Sequence, residues 1–122
     1  MKKIIFAFLV CIAFISFKHF VNQPLENTRW KGTINAPSPI EAVFEFKKDS
    51  FFLYVDGQVF ETMYYRVNGD SLSIVKLDGT SPCNAEEAVY NFSIKENKLY
   101  LKVTNDPCSI RASAFNEYYT KE

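Results

Sequence analysis

The chain of 122 residues has room for one domain around a single core. Its 14 basic and 14 acidic residues give zero formal net charge, which argues against nucleic acid as a partner and against a membrane-surface protein held by charge. Twelve phenylalanines and seven tyrosines supply the apolar area that a small β-structure needs for a compact core.

Residues 1–20 have the pattern of a targeting segment. Lys2 and Lys3 precede an apolar run from residue 4 to residue 17, and Lys18 ends this run. This run suits the apolar region of a signal peptide and is shorter than the roughly 20 residues of a membrane-spanning helix. We expect a signal peptide that is removed; an uncleaved hydrophobic anchor and lipidation of Cys11 are the alternatives. The protein is then exported (secreted, periplasmic or on the cell surface), and membrane contact is expected only through this segment.

Residues 21–27 are predicted to be a linker, and residues 28–122 to form the folded domain. In the first predicted strand, Trp30, Gly32 and Ile34 share one face and polar residues share the other. A period of two residues is typical of a half-buried strand.

Four more strands are predicted between turn signals, beginning near residues 42, 51, 59 and 71. Asp-Gly and Asn-Gly pairs are strong signals for two-residue hairpins. The predicted connections are the proline-containing loop 35–39, Lys48-Asp49, Asp56-Gly57, Asn68-Gly69 and the longer loop 78–85.

Strands six and seven form the clearest predicted hairpin. Residues 88–95 and 98–104 alternate between apolar and polar side chains, and Glu96-Asn97 joins them. After a turn at Asp106-Pro107, residues 109–119 alternate loosely and are predicted to be the eighth strand.

Eight short strands without a helical-period segment predict an all-β fold, an antiparallel up-and-down barrel that closes and removes its edges. A β-sandwich is the alternative. In such a barrel, successive connections alternate between the two ends. The tight turns after strands two, four and six then share a closed end, and the loops 35–39 and 78–85 share an open end with the 106–107 turn.

Cys83 and Cys108 remain once the targeting segment is removed, and both lie at the predicted open end. An exported chain with an even pair of cysteines favours a disulfide, with two free buried thiols as the alternative. No metal is expected, because two thiols without histidines do not complete a zinc site. We expect no cofactor.

The segment 28–32, which contains Trp30, and the segment 106–111, which ends at Arg111, resemble those of the lipocalin-like (calycin) group, most of all small secreted bacterial domains. The resemblance covers residues 28–122. It implies a barrel with a ligand cavity reached from the open end. In that group the tryptophan and the arginine have structural roles and pack together near the closed end. Here the strand directions place Trp30 at the closed end and Arg111 beside an open-end turn, so either this contact is missing or the eighth strand has another register.

Inward aromatic residues are the candidate ligand-binding surface, because binding pockets are mostly apolar with a few polar groups. The predicted set is Phe44, Phe46, Tyr64, Tyr90 and Phe92. The alternative is that these side chains fill the barrel, since eight strands enclose just enough room for side chains or one small ligand. Arg111 is expected to be structural, with contact to an anionic ligand group as the alternative.

No catalytic residues are predicted, because the single histidine lies in the targeting segment and phosphate-loop or dinucleotide motifs are missing. We therefore expect a non-enzymatic protein that binds a small apolar or amphipathic ligand in its barrel. The alternative is an extracellular protein-interaction or inhibitor module with a filled barrel, whose open-end loops contact the partner.

Overall fold

The computed structural model describes residues 24–115 and 117–122. The predicted signal segment and the first part of the predicted linker lie outside these residues. The elements of the described part are β1 Thr28–Asn35, β2 Pro39–Phe46, β3 Ser50–Val55, β4 Gln58–Asn68, β5 Ser71–Gly79, β6 Ala88–Lys95, β7 Lys98–Asn105, α1 Ser109–Ala114 and β8 Tyr118–Lys121.

The strands form a closed antiparallel barrel in sequence order, with β1 paired to both β2 and β8. The predicted up-and-down barrel is therefore confirmed, and the β-sandwich is excluded. Two hairpins have both turn residues at positive φ, Asp56 and Gly57 at 53° and 74°, and Glu96 and Asn97 at 51° and 62°. Such turns twist in the same sense as the strands that they join, so they connect neighbouring strands without splaying them.

Aromatic side chains fill the closed end of the barrel. Phe44 and Phe46 of β2 are fully buried. The Phe46 ring stacks on Phe51 with centroids 4.5 Å apart, and Tyr65 meets Phe46 edge-on at 5.1 Å. Leu25, in the turn before β1, is fully buried in the same core cluster. Apolar packing therefore seals this end.

The eighth strand differs from its prediction. Residues 109–119 were expected as one strand, but Ser109–Ala114 form α1 and only Tyr118–Lys121 form β8. The helix buries Arg111 and Ala114, which lie three residues apart on one face. It has fewer than two turns, too few for a helical period to stand out from a loose alternation. Within residues 24–115 and 117–122, no helix is long and apolar enough to cross a membrane.

The short strand β8 is anchored by one aromatic ring. Tyr119 is fully buried and packs against Gly32 of β1. A Cβ atom added at Gly32 would lie 2.4 Å from Cδ1 of Tyr119. A glycine in the middle of β1 therefore leaves the space that the tyrosine ring needs for barrel closure.

Trp30 and Arg111 lie at opposite ends of the barrel. Trp30 pairs across the sheet with Lys121, and its Nε1 donates to Thr28 Oγ1 over 2.8 Å. Arg111 belongs to α1, in the open-end connection after β7. The Trp–Arg contact that the resemblance implies is thus replaced by separate partners for each residue. The predicted register of the eighth strand is also wrong, because α1 precedes it.

Candidate ligand-binding site

A cavity of about 430 Å³ lies at the end of the barrel that carries the longer connections. Its walls come from the end of β1, residues 36–37, the first half of β4, the second half of β5, residues 80–83 and α1. The topology predicted this end as the open one. The volume falls within the range of about 300–1,000 Å³ that is usual for small-molecule pockets.

The floor of the cavity is apolar. Ile34, Leu53 and Met63 are buried side chains from three different strands, and Phe115 follows α1. Beneath them, the Phe44 ring packs against Phe115 with centroids 5.4 Å apart. The aromatic core of the closed end is therefore the base on which the cavity rests.

One wall is polar and consists of Glu61, Lys76 and Ser81. The Ser81 N–H donates to Glu61 Oε1 over 2.9 Å, and Lys76 Nζ donates to the Ser81 carbonyl over 2.6 Å. Lys76 Nζ also lies 3.8 Å from Glu61 Oε1. These contacts fasten the loop that follows β5 to the barrel wall, and they place an ion pair beside an apolar floor.

Glu61 faces the inside of the barrel. It continues the inward alternation of Met63 and Tyr65 on β4 and is only 5% exposed. Its Oε2 is buried and has no hydrogen-bond partner among the described residues. The carboxylate lies over Gly79, whose φ is +141° and where an added Cβ would come within 2.0 Å of Oε2. Gly79 therefore leaves the space that this carboxylate occupies.

A second polar cluster anchors α1 at the rim. The Asp106 side chain has no exposed surface and accepts hydrogen bonds from Arg111 Nε and Nη2 at 2.8 and 2.9 Å. It also accepts from the Tyr90 hydroxyl and from the Cys108 N–H. Burial alone would raise the pKa of Asp106, but the hydrogen bonds from Arg111, Tyr90 and Cys108 outweigh burial and lower this pKa. Arg111, which lines the cavity, is thus a paired cation with a structural partner.

Cys83 and Cys108 lie in disulfide geometry, with 2.02 Å between the sulfur atoms and 5.5 Å between the Cα atoms. Cys83 lines the cavity, and Cys108 directly precedes α1. The pair therefore joins two walls of the cavity to each other.

The five predicted ligand-binding residues do not line this cavity in the described structure. Phe44, Phe46 and Phe92 are buried inside the barrel, and Tyr90 is buried with its hydroxyl in the second polar cluster. Tyr64 is 47% exposed on the outside of β4. The expectation that Tyr64 faces the interior is therefore wrong, because the residues on either side of it face inward.

Sequence reasoning missed the polar wall, although a signal was present. Glu61 precedes Met63 and Tyr65 at a spacing of two, and Lys76 follows Leu72 and Ile74 in the same way. Charged residues are rarely buried unless they are paired. An acid and a base in phase with inward apolar residues, each near the open end of its strand, were therefore visible candidates.

The chain matches no protein-family model, no curated protein and no solved structure. In the described part of the chain, no group of three or more histidine, cysteine, aspartate or glutamate side chains is placed to hold a metal ion. The chemistry of the cavity is therefore the guide to what this protein binds.

Buried tyrosines make the barrel sensitive to alkaline pH. Burial, helped by the charges of Glu26 and Asp49, raises the pKa of Tyr65 to about 12. Burial and the hydrogen bond to Asp106 raise the pKa of Tyr90 as well. A tyrosine in the unfolded chain titrates near pH 10. Above about pH 10 the unfolded state therefore loses protons that the native state keeps, and stability falls as pH rises.

We expect the urea midpoint of unfolding to fall between about pH 9 and about pH 11, and Tyr65→Phe to reduce this fall. Tyr64→Phe is the matched control, because Tyr64 is the exposed neighbour on the same strand. A midpoint that stays constant to about pH 11 contradicts the prediction.

Proposed function

We propose that this protein is an exported, non-enzymatic, lipocalin-like binding protein that holds one small apolar or amphipathic molecule at the open end of its barrel. The observation that carries the proposal is the cavity of about 430 Å³ with its apolar floor and polar wall. Ligand sites are concave and mainly apolar, and a few polar groups fix the orientation of the ligand. A barrel of eight strands has room for one small ligand.

Export is supported by two features of the chain. Residues 1–20 have the pattern that predicts a targeting segment, and Cys83 and Cys108 lie in disulfide geometry. Disulfides persist in oxidising compartments and are rare in the cytosol. We therefore include a formed disulfide and a site of action outside the cytoplasm in the proposal.

The proposal is for binding rather than catalysis because the chain offers no pair of nucleophile and histidine base. Its one histidine, His19, lies in the predicted targeting segment. Within the cavity, Arg111 and Lys76 already have protein partners. The polar wall is suited to orienting a ligand.

Native mass spectrometry of the protein, purified after expression of the full-length sequence, tests the proposal. We expect a one-to-one complex with a co-purified small molecule, or with n-decanol added after extraction. A cavity of about 430 Å³ holds about 14 non-hydrogen atoms at roughly 30 Å³ each, which accommodates n-decanol. A protein that carries nothing and takes up no n-decanol contradicts the proposal.

A variant that narrows the cavity locates the binding site. Ser113→Phe places a ring on a lining residue of α1, so the affinity for n-decanol is expected to fall at least about tenfold. Ala112→Phe is the matched control, because Ala112 belongs to the same helix but does not line the cavity. Equal affinities for the two variants would place the ligand elsewhere.

An exposed apolar rim favours a second candidate, an extracellular protein-interaction or inhibitor module. Val59, Leu77 and Ile110 are 51%, 58% and 53% exposed, and all three lie at the open end. Exposed apolar residues mark a protein-interaction surface where they form a contiguous patch. Replacing Val59 and Leu77, which do not line the cavity, by serine distinguishes the candidates. A ligand-binding protein keeps its affinity for n-decanol within about threefold, whereas an interaction module binds no n-decanol and loses its protein partner.

A further inference from the structure

We infer that the ligand carries a hydrogen-bond-donating head group, an amine or a hydroxyl, which binds the carboxylate of Glu61 while its alkyl part lies on the cavity floor. This inference rests on the proposed function and specifies the class of ligand. It disfavours fatty acids and other alkyl anions.

Glu61 Oε2 is an unused acceptor in a buried position. The Glu61 side chain is 6% exposed, and its Oε1 already accepts the Ser81 N–H. Its Oε2 accepts no hydrogen bond from the described residues. Most buried polar atoms in folded proteins have a partner, and leaving one unpaired is costly. A donor on the ligand supplies the missing hydrogen bond.

The position of Glu61 makes this contact accessible from the cavity. Glu61 is one of the lining residues, and its carboxylate rests over Gly79. The terminal torsion of a glutamate is broad, because it joins an sp³ carbon to an sp² carbon. A rotation about this bond turns Oε2 from Gly79 toward the cavity without moving β4, and it moves Oε1 away from the Ser81 N–H at the same time.

The two cations of the lining are already engaged. Arg111 donates two hydrogen bonds to Asp106. Lys76 Nζ donates to the Ser81 carbonyl and faces Glu61 Oε1 at 3.8 Å. An anionic head group would be repelled by Glu61 and would compete for these donors. A donating head group adds a hydrogen bond to the carboxylate and leaves the hydrogen bonds of both cations, to Asp106 and to the Ser81 carbonyl, in place.

The apolar floor determines the chemistry expected for the remainder of the ligand. Leu53 and Met63 are buried below the polar wall and offer only apolar contacts. The volume of about 430 Å³ corresponds to about 14 non-hydrogen atoms at roughly 30 Å³ each. A ten-carbon chain with one head group fits this volume.

Isothermal titration calorimetry of the wild-type protein with n-decylamine, n-decanol and decanoate, at about pH 7, tests the head group at constant chain length. We expect n-decylamine and n-decanol to bind at least about tenfold more tightly than decanoate. This comparison needs no variant, so it does not depend on how a substitution folds.

The variant Glu61→Gln tests whether Glu61 is the residue that binds the head group. The amide keeps the shape of the side chain but replaces one acceptor oxygen by a donor. The affinity for n-decylamine is expected to fall at least about tenfold, and decanoate is expected to gain affinity. Glu86→Gln is the matched control, because Glu86 is exposed in the loop that follows β5. It should bind all three compounds as the wild type does.

The outcomes separate this inference from the proposed function. If wild-type protein binds decanoate as tightly as n-decylamine, or if Glu61→Gln keeps the wild-type preference, the inference is wrong and the proposed function stands. If none of the three compounds binds, both are wrong.

Discussion

Asp106→Asn is expected to lower the free energy of unfolding by about 3–5 kcal/mol, because it removes the charge that balances buried Arg111. The Asp106 side chain has no exposed surface, and that of Arg111 is 7% exposed. The new amide nitrogen is itself a hydrogen-bond donor, and it would face groups that donate to the native carboxylate. Those groups would then lack an acceptor. For a domain of this size, the melting temperature should fall by on the order of 15 °C.

Two further variants, both with smaller expected losses of stability, serve as comparisons in urea unfolding. Tyr90→Phe removes one hydroxyl that donates to Asp106 and keeps the buried ring, so a loss of about 1–1.5 kcal/mol is expected. Asp56→Asn changes an exposed residue of an Asp-Gly turn, and its effect should be close to zero. If Asp106→Asn costs no more than Asp56→Asn, the cluster does not hold α1 to the barrel.

The Asp106 carboxylate also makes the free energy of unfolding depend on pH in the acid range. Because the pKa of Asp106 is lowered in the native state, its contribution is present above the ordinary value of about 3.9 and is lost as pH falls below that value. The difference in unfolding free energy between wild type and Asp106→Asn should therefore shrink from about pH 6 to about pH 3. A constant difference would show that charge pairing is not the source.

Replacing both Cys83 and Cys108 by serine is expected to cost about 3–4 kcal/mol of stability. A cross-link across a sequence separation of 25 residues restricts the unfolded chain by about that amount. The double variant should also bind n-decanol less tightly, because Cys83 lines the cavity and Cys108 precedes α1. The loss of affinity is expected to be about tenfold.

Reduction provides the control for this pair. Dithiothreitol should lower the urea midpoint of the wild-type protein as far as the double substitution does, and it should leave the midpoint of the double variant unchanged. An unaltered wild-type midpoint after both thiols have been titrated as free would contradict the predicted stabilisation.

The strands were predictable because their signal is local. Trp30, Gly32 and Ile34 alternate within one short segment, and the Asp56-Gly57 and Glu96-Asn97 turns adopt the positive φ angles that hairpins require. Once tight turns join consecutive strands, their directions alternate, and the assignment of loops to two ends follows. The strand directions alone therefore predict that both cysteines lie on one rim.

The site was only partly predictable, because it depends on contacts between distant segments. Aromatic residues were expected to line the pocket, but Phe44 and Phe46 pack against neighbouring rings and fill the closed end. Glu61 was in phase with inward residues, yet its burial depends on the space at Gly79, across the sheet. Such a pairing cannot be read from either strand alone.

By itself, the sequence determined the first seven strands, their meander order and the rim that holds Cys83 and Cys108, because alternation and turn chemistry act over a few residues. The tertiary structure alone decided that residues 109–114 form a helix, that aromatic rings fill the closed end, and that Glu61 and Lys76 form the polar wall of a cavity. These outcomes depend on long-range partners. Asp106 holds Arg111 and thereby α1, and Gly79 makes room for Glu61.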